Sequence, residues 1–331
     1  MQKLRWGVLS SAKIGREKVI PAIQMSKLGE VVAIASRTQE SADLAAKELG
    51  IARAHGSYEA LLADPNVDAI YNPLPNHLHV PWSIKAIEAG KHVLCEKPLG
   101  LDVADTEKLI KFAEQHPKVH VMEAFMYRFH PQWKIVVNLV REGRIGKIRS
   151  VQSNFSYNNH EADNIRNRVD WGGGALLDIG CYCISLSRLI FNEEPSRVVG
   201  QITPYPGQDV DCLASAIMSF SEGTATFSVS TKTESEQHVK IYGEKGTINI
   251  PLPFYNPNSG TDTHIELKLD GVVEHITVPA SNHYTEMTDA FAESIRTNTA
   301  VPTALSDALA NMKVIDAIFA SAKQDGWVAI K

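Results

Sequence analysis

Residues 4–15 read LRWGVLSSAKIG, and this stretch decides the fold of the first part of the chain. The composition predicts a buried strand from Leu4 to Ser10 and a helix from Lys13 to Met25. In dinucleotide-binding proteins a glycine-rich loop lies at such a junction, where main-chain N–H groups approach a pyrophosphate at the helix N-terminus. Gly7 fits the first glycine of that pattern, but Ser10 stands where glycine is most common. An ordinary strand-to-helix turn is the alternative.

Short apolar runs alternate with helical patterns as far as about residue 124. Strands are predicted at Glu30–Ser36, Ala69–Asn72, His92–Cys95 and Val119–Glu123. Helices are predicted at Ser41–Leu49, Tyr58–Ala63, His79–Ala89 and Asp102–Gln115. Strands that alternate with helices favour right-handed crossovers, so this part is expected to form a doubly wound parallel sheet of the α/β class.

After about residue 124 the pattern changes. The chain offers a strand at Arg149–Tyr157, a long apolar helix at Gly174–Phe191 and a succession of strands from Arg197 to Pro279. The predicted strands in that succession are Cys212–Phe220, Thr224–Ser230, Val239–Tyr242, Thr247–Ile250, Ile265–Leu269 and Val272–Val278. Two helices follow, near His283–Arg296 and Ser306–Lys323. A second, α+β domain with a large open, mostly antiparallel sheet is therefore expected.

The composition excludes several classes of protein. The chain has 331 residues and a formal net charge of −5, which argues against a nucleic-acid partner because phosphates require a basic surface. No run approaches the roughly 18 consecutive apolar residues of a membrane span. Residues 1–6 lead into an apolar strand without the features of a secretory signal, so the cytoplasm is expected. Four cysteines in a chain of this length do not indicate a disulfide framework.

The end of the second strand predicts the cofactor. It reads Ala35-Ser36-Arg37, where proteins that bind NAD usually carry an acidic residue for the ribose hydroxyls. Ser36 can donate a hydrogen bond to a 2′-phosphate, and the Arg37 guanidinium can pair with it. We therefore expect a preference for NADP over NAD as the cofactor; the alternative is that Arg37 is a solvated residue at a helix start.

Residues 93–98, VLCEKP, form an apolar strand that stops at Glu96-Lys97-Pro98. Ligands of open α/β sheets bind beyond the carboxyl ends of the strands, which places Lys97 at the mouth of a site. There its ammonium could hold a substrate oxygen and lower the pKa of a nearby acid. The alternative is an ordinary surface lysine.

The helix after Gly172-Gly173-Gly174 is apolar on most of its surface and is expected to be buried. Asp178 and Tyr182 lie four residues apart, on one face of it. A phenol beside a carboxylate suits acid–base chemistry on a hydroxyl, particularly if Lys97 lies near. A buried Asp–Tyr pair with a structural role is the alternative.

Other polar residues are harder to assign. Residues 71–79, YNPLPNHLH, suit a loop near the cofactor, and the two histidines His77 and His79 could bind a metal, but no further ligand completes a known spacing. We expect no metal, and we expect Cys181 and Cys183 to lie in the core. Each of four residues could bind substrate or cofactor, or could join an ion pair between domains: Arg128, His130, Arg166 and Arg168.

The sequence resembles the Gfo/Idh/MocA family of pyridine-nucleotide oxidoreductases. The resemblance rests on RWGVLSSAKIG at 5–15, IASR at 34–37, GKHVLCEKPL at 90–99, EAFMYRFHPQ at 123–132 and GGGALLDIGCYC at 172–183. The last two are similar in particular to the branch with dimeric dihydrodiol dehydrogenases and D-xylose 1-dehydrogenases. The motifs extend over essentially the whole chain, and they depart from the family pattern at Ser10.

This resemblance implies a Rossmann domain, a C-terminal domain with an open sheet that forms an oligomer interface, and a site in the cleft between domains. Lys97 matches the family's catalytic lysine, in a Lys-Pro bond that is often cis. Asp178 matches its substrate-binding aspartate, and Tyr182 the tyrosine that acts as acid/base in the dihydrodiol branch. The expected domains are residues 1–124, which bind NADP, and 125–331, which bind substrate and form oligomers; the C-terminal helix could pack back on the first domain.

The expected activity is NADP-dependent hydride transfer to or from a hydroxyl or carbonyl of a sugar or cyclic diol. Tyr182, its pKa lowered by Lys97, would take the hydroxyl proton while Asp178 orients the substrate. The expected cofactor-binding residues are Gly7, Ser10, Ala12, Lys13, Ile14, Ser36, Arg37, Asn72, Leu74, Asn76, His77, Glu96 and Lys97. The expected substrate-binding residues are Arg128, Arg166, Asp178 and Tyr182.

Two alternatives stay open: a reductase of a keto- or aldos-2-ulose sugar, and a sensor that binds NADP without catalysis. A homodimer or homotetramer through the C-terminal sheet is expected. The side chains that choose the substrate are expected in loops at 155–171 and 231–260. Neither the substrate nor the direction of the reaction follows from the sequence.

Overall fold

The structure is a computed structural model that describes residues 3–161, 164–207, 209–255 and 260–331. Six residues of the two expected substrate loops lie outside this description: 162, 163 and 256–259. The described chain divides into two compact units. The first unit holds the residues up to Met126 together with Asn282–Leu309, and the second unit holds Tyr127–Ser281 and Ala310–Lys331. The functional division expected at residue 124 stays a prediction.

In the described residues of the first unit, six strands form one sheet. The strands are β1 (Leu4–Leu9), β2 (Gly29–Ala35), β3 (Arg53–His55), β4 (Ala69–Asn72), β5 (His92–Cys95) and β6 (Val121–Glu123). They are parallel and lie in the order β3-β2-β1-β4-β5-β6. This is the strand order of the doubly wound dinucleotide-binding fold, so the predicted fold class of this part is confirmed.

Helices connect these strands, and side-chain caps set where several of them begin. A π-helical turn at Gly15–Val19 leads into α1 (Ile20–Met25), and the helices that follow are α2 (Gln39–Leu49), α3 (Tyr58–Leu62), α4 (His79–Glu88) and α5 (Val103–Glu114). Oxygens of Thr38, Ser57 and Asp102 accept main-chain N–H groups at the starts of α2, α3 and α5. Such caps stabilise a helix by about 1 kcal/mol each.

The described part of the second unit contains a nine-stranded sheet. Its strands are β7 (Ile148–Asn158), β8 (Arg197–Pro204), β9 (Asp211–Ser219), β10 (Thr224–Ser230), β11 (Lys232–Gly243), β12 (Gly246–Ile250), β13 (Thr263–Leu269), β14 (Val272–Val278) and β15 (Val328–Ala329). The order is β14-β13-β12-β11-β7-β10-β9-β8-β15. β7 and β10 pair in parallel, whereas the other neighbours are antiparallel. The predicted open, mostly antiparallel sheet is confirmed.

The two faces of this sheet differ. One row of paired residues is fully or almost fully buried: Val198, Met218, Ala225, Val151, Ile241, Ile248 and Leu267. The next row, which points to the other face, consists of Val199, Ile217, Thr226, Gln152, Lys240, Asn249, Glu266 and His275. We call the face that bears this second row the outer face. Its residues are polar or partly exposed, and Ile217 is 40% exposed.

Two helices pack on the buried face, α6 (Pro131–Arg141) and α7 (Cys181–Phe191), and a π-helical turn at Leu176–Gly180 precedes α7. α7 and its π-helical turn are buried on nearly all sides, as expected. By length and composition, the run Val169–Phe191 would suffice to cross a membrane, which differs from the expectation stated above. Its most apolar part is 83% buried within the protein, as in a helix at the centre of a core.

Two further helices follow the large sheet, α8 (His283–Thr297) and α9 (Leu305–Gln324). α8 belongs to the first unit, where the Phe291 ring lies 5.7 Å from the ring of the fully buried Trp6. The Thr285 hydroxyl also donates to the Ala22 carbonyl oxygen of α1 at 3.1 Å. The polypeptide therefore returns to its first unit after the large sheet is complete.

Candidate active site

The expected cofactor-binding residues follow four neighbouring strands of the parallel sheet. Ser10, Ser36, Asn72 and Glu96 lie at or directly after the ends of β1, β2, β4 and β5. Because the strands are parallel, these positions meet at one edge of the sheet. The members with exposed or partly exposed surface are Ser10, Ala12, Lys13, Ile14, Arg37, Asn76, His77, Glu96 and Lys97. The buried members are Gly7, Ser36, Asn72 and Leu74.

The loop after β1 keeps the geometry of a glycine loop although Ser10 replaces the glycine. Ser10 has a φ of 79°, in the left-handed region that glycine favours. Its side-chain oxygen accepts the Ala12 N–H at 3.2 Å, and its own N–H donates to the Ala35 carbonyl at 2.9 Å. These bonds compensate for the unfavourable φ. The loop thus has a main-chain conformation that is compatible with a dinucleotide site.

The end of β2 carries a positive charge in place of an acid. Ser36 is buried and its N–H donates to the His55 carbonyl at 3.0 Å, while Arg37 is exposed. Thr38 accepts the Ser41 N–H and so begins α2. An exposed guanidinium at this point fits a phosphate on the adenosine ribose.

The loop after β4 is held by buried side chains. The Asn72 amide donates to the His79 carbonyl at 3.1 Å and to the Ser83 hydroxyl at 3.2 Å, and its oxygen accepts the Leu74 N–H at 3.3 Å. Asn72 and Leu74 therefore shape the loop, and their cofactor contacts stay predictions. Gly7 lies within β1, where a Cβ atom would come within 2.9 Å of Val67, so it permits close packing of the strand.

Lys97 lies directly after β5, in a segment whose neighbouring residues are anchored. The Lys97–Pro98 peptide bond is cis, as expected. On one side of it, the Tyr71 hydroxyl donates to the Glu96 carboxylate at 2.7 Å. On the other side, the Leu99 N–H donates to the buried Glu123 carboxylate at 2.7 Å. These contacts fix the main chain from which the lysine side chain extends.

In the second unit, the three glycines before α7 allow a close approach of two loops. The Gly174 N–H donates to the Arg166 carbonyl at 2.9 Å, and a Cβ atom at Gly173 would come within 2.5 Å of the same carbonyl oxygen. Gly174 has a φ of 112°, and a Cβ there would lie 1.9 Å from the Asp211 carboxylate. Larger residues are therefore excluded, and the loop that carries Arg166 is held beside Asp178.

Asp178 lies in the π-helical turn and receives two donors on one oxygen. Nε of Arg166 donates to its Oδ2 at 2.8 Å, and the Tyr157 hydroxyl donates to the same oxygen at 2.5 Å. The Asp178 charge raises the pKa of Arg166, and burial raises the pKa of Tyr157 above its ordinary value, followed in importance by the Asp178 charge. The cluster is thus a carboxylate, a guanidinium and a neutral phenol, with no net charge.

Tyr182 lies among aromatic rings at the start of α7. It is 5% exposed, and its ring centroid lies within 5.8 Å of those of Tyr127, Phe155 and Phe254. Such an apolar surrounding is suited to a phenol that must exchange its proton with a substrate and not with bulk water.

The remaining candidates have contacts within the second unit. Arg128 donates to the Ser185 hydroxyl of α7 at 2.8 Å, and His130 begins α6 by accepting the Gln132 N–H at 3.3 Å. Arg168 is exposed and pairs with Asp170 at 3.1 Å. Among these four residues, Arg166 binds Asp178, and a substrate role for Arg128 stays a prediction.

The cysteines and the candidate metal ligands were also considered as site residues. All four cysteines are free thiols, and Cys181 and Cys183 are buried as expected. Burial raises the pKa of Cys183 to about 12, so it is an inert core residue. In the part of the chain that the structure describes, no three His, Cys, Asp or Glu side chains form a group that could hold a metal ion.

The sequence reasoning overlooked two contributors to these sites. Tyr157 ends a predicted strand, so its position beside a loop was visible, but its contact with Asp178 depends on the approach of three segments. Glu123 ends β6 and holds Leu99. A buried acid at the end of a parallel strand was the signal that could have found it.

Comparison with known proteins supports the assignment of both units. Residues 4–125 match the profile of an oxidoreductase family with an NAD-binding Rossmann fold, named GFO_IDH_MocA. Residues 133–249 match the GFO/IDH/MocA C-terminal domain. Together the two matches cover most of the chain.

Similar proteins include two dehydrogenases and a ketoreductase. A D-xylose 1-dehydrogenase (NADP(+)) from Haloferax volcanii is 38% identical over 99% of this chain and 100% of its own. A trans-1,2-dihydrobenzene-1,2-diol dehydrogenase from Xenopus tropicalis is 32% identical over 83% of each chain. The structure of a 3-ketoreductase from Actinomadura kijaniata with NADP and TDP-benzene has a TM-score of 0.91 at 30% identity and covers 97% of this chain and 98% of its own. The chain therefore belongs to the Gfo/Idh/MocA family of oxidoreductases.

Proposed function

We propose that this chain is an NADP-dependent dehydrogenase of an aldose or a cyclic diol. The observation that carries the proposal is the position of Lys97, directly after β5 at the ligand-binding edge of a Rossmann sheet, in a segment anchored by Glu96 and Leu99. A segment fixed on both sides of one lysine is expected where the ammonium must meet a reacting oxygen.

The residues fit a dinucleotide phosphate. The loop at Ser10 and the N–H groups of the following helix would hold the pyrophosphate, and Arg37 would pair with the 2′-phosphate. The xylose dehydrogenase relative uses NADP by its name, which supports the same cofactor here. When bound, the nicotinamide supplies the acceptor or donor of the hydride.

The proton is handled by the second unit. In the oxidative direction Tyr182 takes the proton of the substrate hydroxyl, and the Lys97 ammonium favours the phenolate form that accepts it. Asp178 accepts a hydrogen bond from a further substrate hydroxyl, while Arg166 and Tyr157 hold its carboxylate in place. Because this cluster carries no net charge, it suits the hydroxyls of a neutral sugar.

The same residues can act in the reducing direction. The Actinomadura relative is a 3-ketoreductase, which favours a keto- or aldos-2-ulose sugar reductase as the second candidate. In that case Tyr182 donates its proton to the carbonyl oxygen, and Lys97 stabilises the charge that develops there.

The chain further assembles as a homodimer or homotetramer in the cytoplasm. The outer face of the nine-stranded sheet supports this, because its paired strands offer a broad surface on which Ile217 is exposed beside the polar Thr226 and Gln152. Such a mixture is typical of an interface between subunits.

The experiment is a nicotinamide-absorbance screen of aldoses, inositols, dihydrodiols and dicarbonyl sugars, with NADP(H) and NAD(H) in parallel. Lys97→Ala and Tyr182→Phe should each lower kcat by about 10²- to 10⁴-fold, the range of general acid–base catalysis. Arg37→Ala should raise KM for NADP about tenfold or more and leave KM for NAD unchanged.

Arg296→Ala, which removes an exposed arginine of α8, is the matched control and should change neither constant. Turnover at wild-type rates by both Lys97→Ala and Tyr182→Phe would refute the mechanism. Binding of NADP without turnover of any substrate would point to a sensor, and equal use of NAD and NADP would refute the role of Arg37.

A further inference from the structure

His79 links the two loops that flank the proposed cofactor site. It is the first residue of α4 and is 1% exposed. Its Nδ1 lies 2.8 Å from the carbonyl oxygen of Pro98, and its Nε2 lies 2.7 Å from the carbonyl oxygen of Leu74. Leu74 belongs to the loop after β4 and Pro98 to the segment after β5, so one buried ring contacts the main chain of both.

These contacts place a carbonyl oxygen at each of the two ring nitrogens. A neutral imidazole donates from one nitrogen and a protonated one from both. Burial lowers the pKa of His79 to about 4, and the nearby charges of Lys97 and His77 act in the same direction, whereas the two carbonyls act against them. Both nitrogens face carbonyl oxygens, and the neutral ring can donate to one of them at a time. A metal ligand would instead need a nitrogen that is turned away from both carbonyls.

The Pro98 contact lies one residue from the proposed catalytic lysine. The other anchors of this segment act on Glu96 and Leu99, through Tyr71 and Glu123. His79 differs from them because its second contact reaches the loop that carries the expected cofactor residues Asn76 and His77. A displacement of this ring would therefore move the lysine relative to the cofactor loop.

We propose that His79 is a positioning residue that couples the cofactor loop at 73–78 to Lys97. This inference rests on the proposed function, because it assumes that Lys97 acts in the reaction. A histidine with a purely structural role would affect unfolding without a specific effect on turnover. A positioning role instead predicts a loss of kcat in enzyme that is folded and saturated with NADP.

The test compares His79→Phe, which keeps an aromatic ring and removes the N–H donor, with His79→Gln, which keeps a donor. His92→Phe is the matched control, because His92 is a partly buried histidine at the opposite end of β5. For each variant we would measure kcat and KM for the sugar, the Kd of NADP by fluorescence titration, and Tm.

His79→Phe should lower kcat by about 10²-fold, the effect of misplacing a reacting group by about 1 Å, with a smaller change in sugar KM. His79→Gln should recover much of that loss, whereas His92→Phe should shift Tm and leave kcat unchanged. A folded His79→Phe that binds NADP and retains wild-type kcat would overturn the inference.

If His79→Phe does not fold, His79→Gln and His79→Asn provide the test, because the shorter Asn amide reaches fewer of the carbonyls. kcat should then fall from wild type to His79→Gln to His79→Asn at similar NADP affinity, and equal values would contradict the role. Lys97→Ala, assayed in parallel, separates the two proposals. If it is fully active, the proposed function is wrong; if it is inactive while the His79 variants are fully active, only the present inference is wrong.

Discussion

The Asp178 carboxylate accepts hydrogen bonds from two side chains on a single oxygen. Arg166 neutralises its charge, and the Tyr157 hydroxyl donates to the same Oδ2. Hydrogen bonds to a charged group stabilise it by about 1.5–3 kcal/mol, so the position of this carboxylate depends on both donors. In the proposed mechanism, Tyr157 therefore acts on the substrate through Asp178.

Tyr157→Phe should raise KM for the sugar about tenfold, because it removes one of the two donors that orient the carboxylate. KM for NADP should not change, since Tyr157 belongs to the second unit. Steady-state kinetics with each substrate varied in turn measures both constants. Tyr242→Phe is the control, because its exposed hydroxyl donates to Gln152 on the outer face. An unchanged KM for the sugar in Tyr157→Phe would show that the Tyr157 hydroxyl is not needed to orient Asp178.

The sequence predicts those site residues whose position is set by a single strand or helix. Lys97 could be placed because a parallel strand ends one residue before Glu96, whatever the rest of the chain does. Tyr157 could not, because its partner depends on the approach of the Arg166 loop to the glycines before α7. That approach is a tertiary contact with no local pattern.

Elements were predicted where pattern and boundary signals agree. β5 has its predicted bounds, and α5 begins after the cap Asp102. β3 was overlooked because Arg53–His55 is short and has no apolar alternation. α6 was overlooked because three consecutive β-branched residues, Ile135 to Val137, are typical of a strand, although the helix is fixed by burial of Trp133 and Leu139.

The predicted strand at β11 is too short. The sequence predicts a strand at Val239–Tyr242, whereas the strand extends over Lys232–Gly243. The additional residues are mostly charged or polar, and they are exposed or partly exposed, so their composition gives no strand signal. Pairing with β7, with a register shift between Lys232 and Glu236, holds them in the sheet.

The outer face of the large sheet leads to a prediction about the assembly of the subunits. Ile217→Glu places a charge on β9 at the centre of the proposed subunit interface and should convert the oligomer to monomers, because an unpaired buried charge costs several kcal/mol. Analytical ultracentrifugation measures the mass. Val272→Glu, at a 71% exposed position of the edge strand β14, should leave the assembly intact. A monomeric wild-type protein, or an Ile217→Glu variant that stays assembled, would refute this interface.

The whole molecule interleaves two units along one chain. β1 to β6 complete the parallel sheet before the second unit begins, yet α8 returns to pack Phe291 on Trp6. A local pattern cannot reveal such a return, because α8 is amphipathic and would suit either unit. The stability of the first unit therefore depends on segments that are far apart in the chain, and titratable groups in each unit contribute to the pH dependence of unfolding.

Buried histidines of the first unit predict acid sensitivity. Burial lowers the pKa of His79 and of His92 to about 4 in the folded protein, against about 6.5 in the unfolded chain. Between these values the unfolded state binds more protons, so the free energy of unfolding should fall as pH decreases from about 6.5 to about 4. For the fully buried His79 the loss is about 3 kcal/mol over this range.

Asp211 of the second unit acts in the opposite direction. Burial raises its pKa to about 6, so its contribution is present below the unfolded value and is lost as pH rises through about 6. Asp211→Asn removes this term and keeps an oxygen that can accept the Leu176 N–H. Relative to wild type, the variant should therefore gain about 2–3 kcal/mol between pH 4 and pH 7, measured by urea unfolding at each pH. Asp43→Asn, at an exposed position of α2, should run parallel to wild type. If the free energy of unfolding of Asp211→Asn also ran parallel to that of wild type, the Asp211 carboxyl would titrate alike in the folded and unfolded states. That result would contradict the prediction that burial raises its pKa in the folded protein.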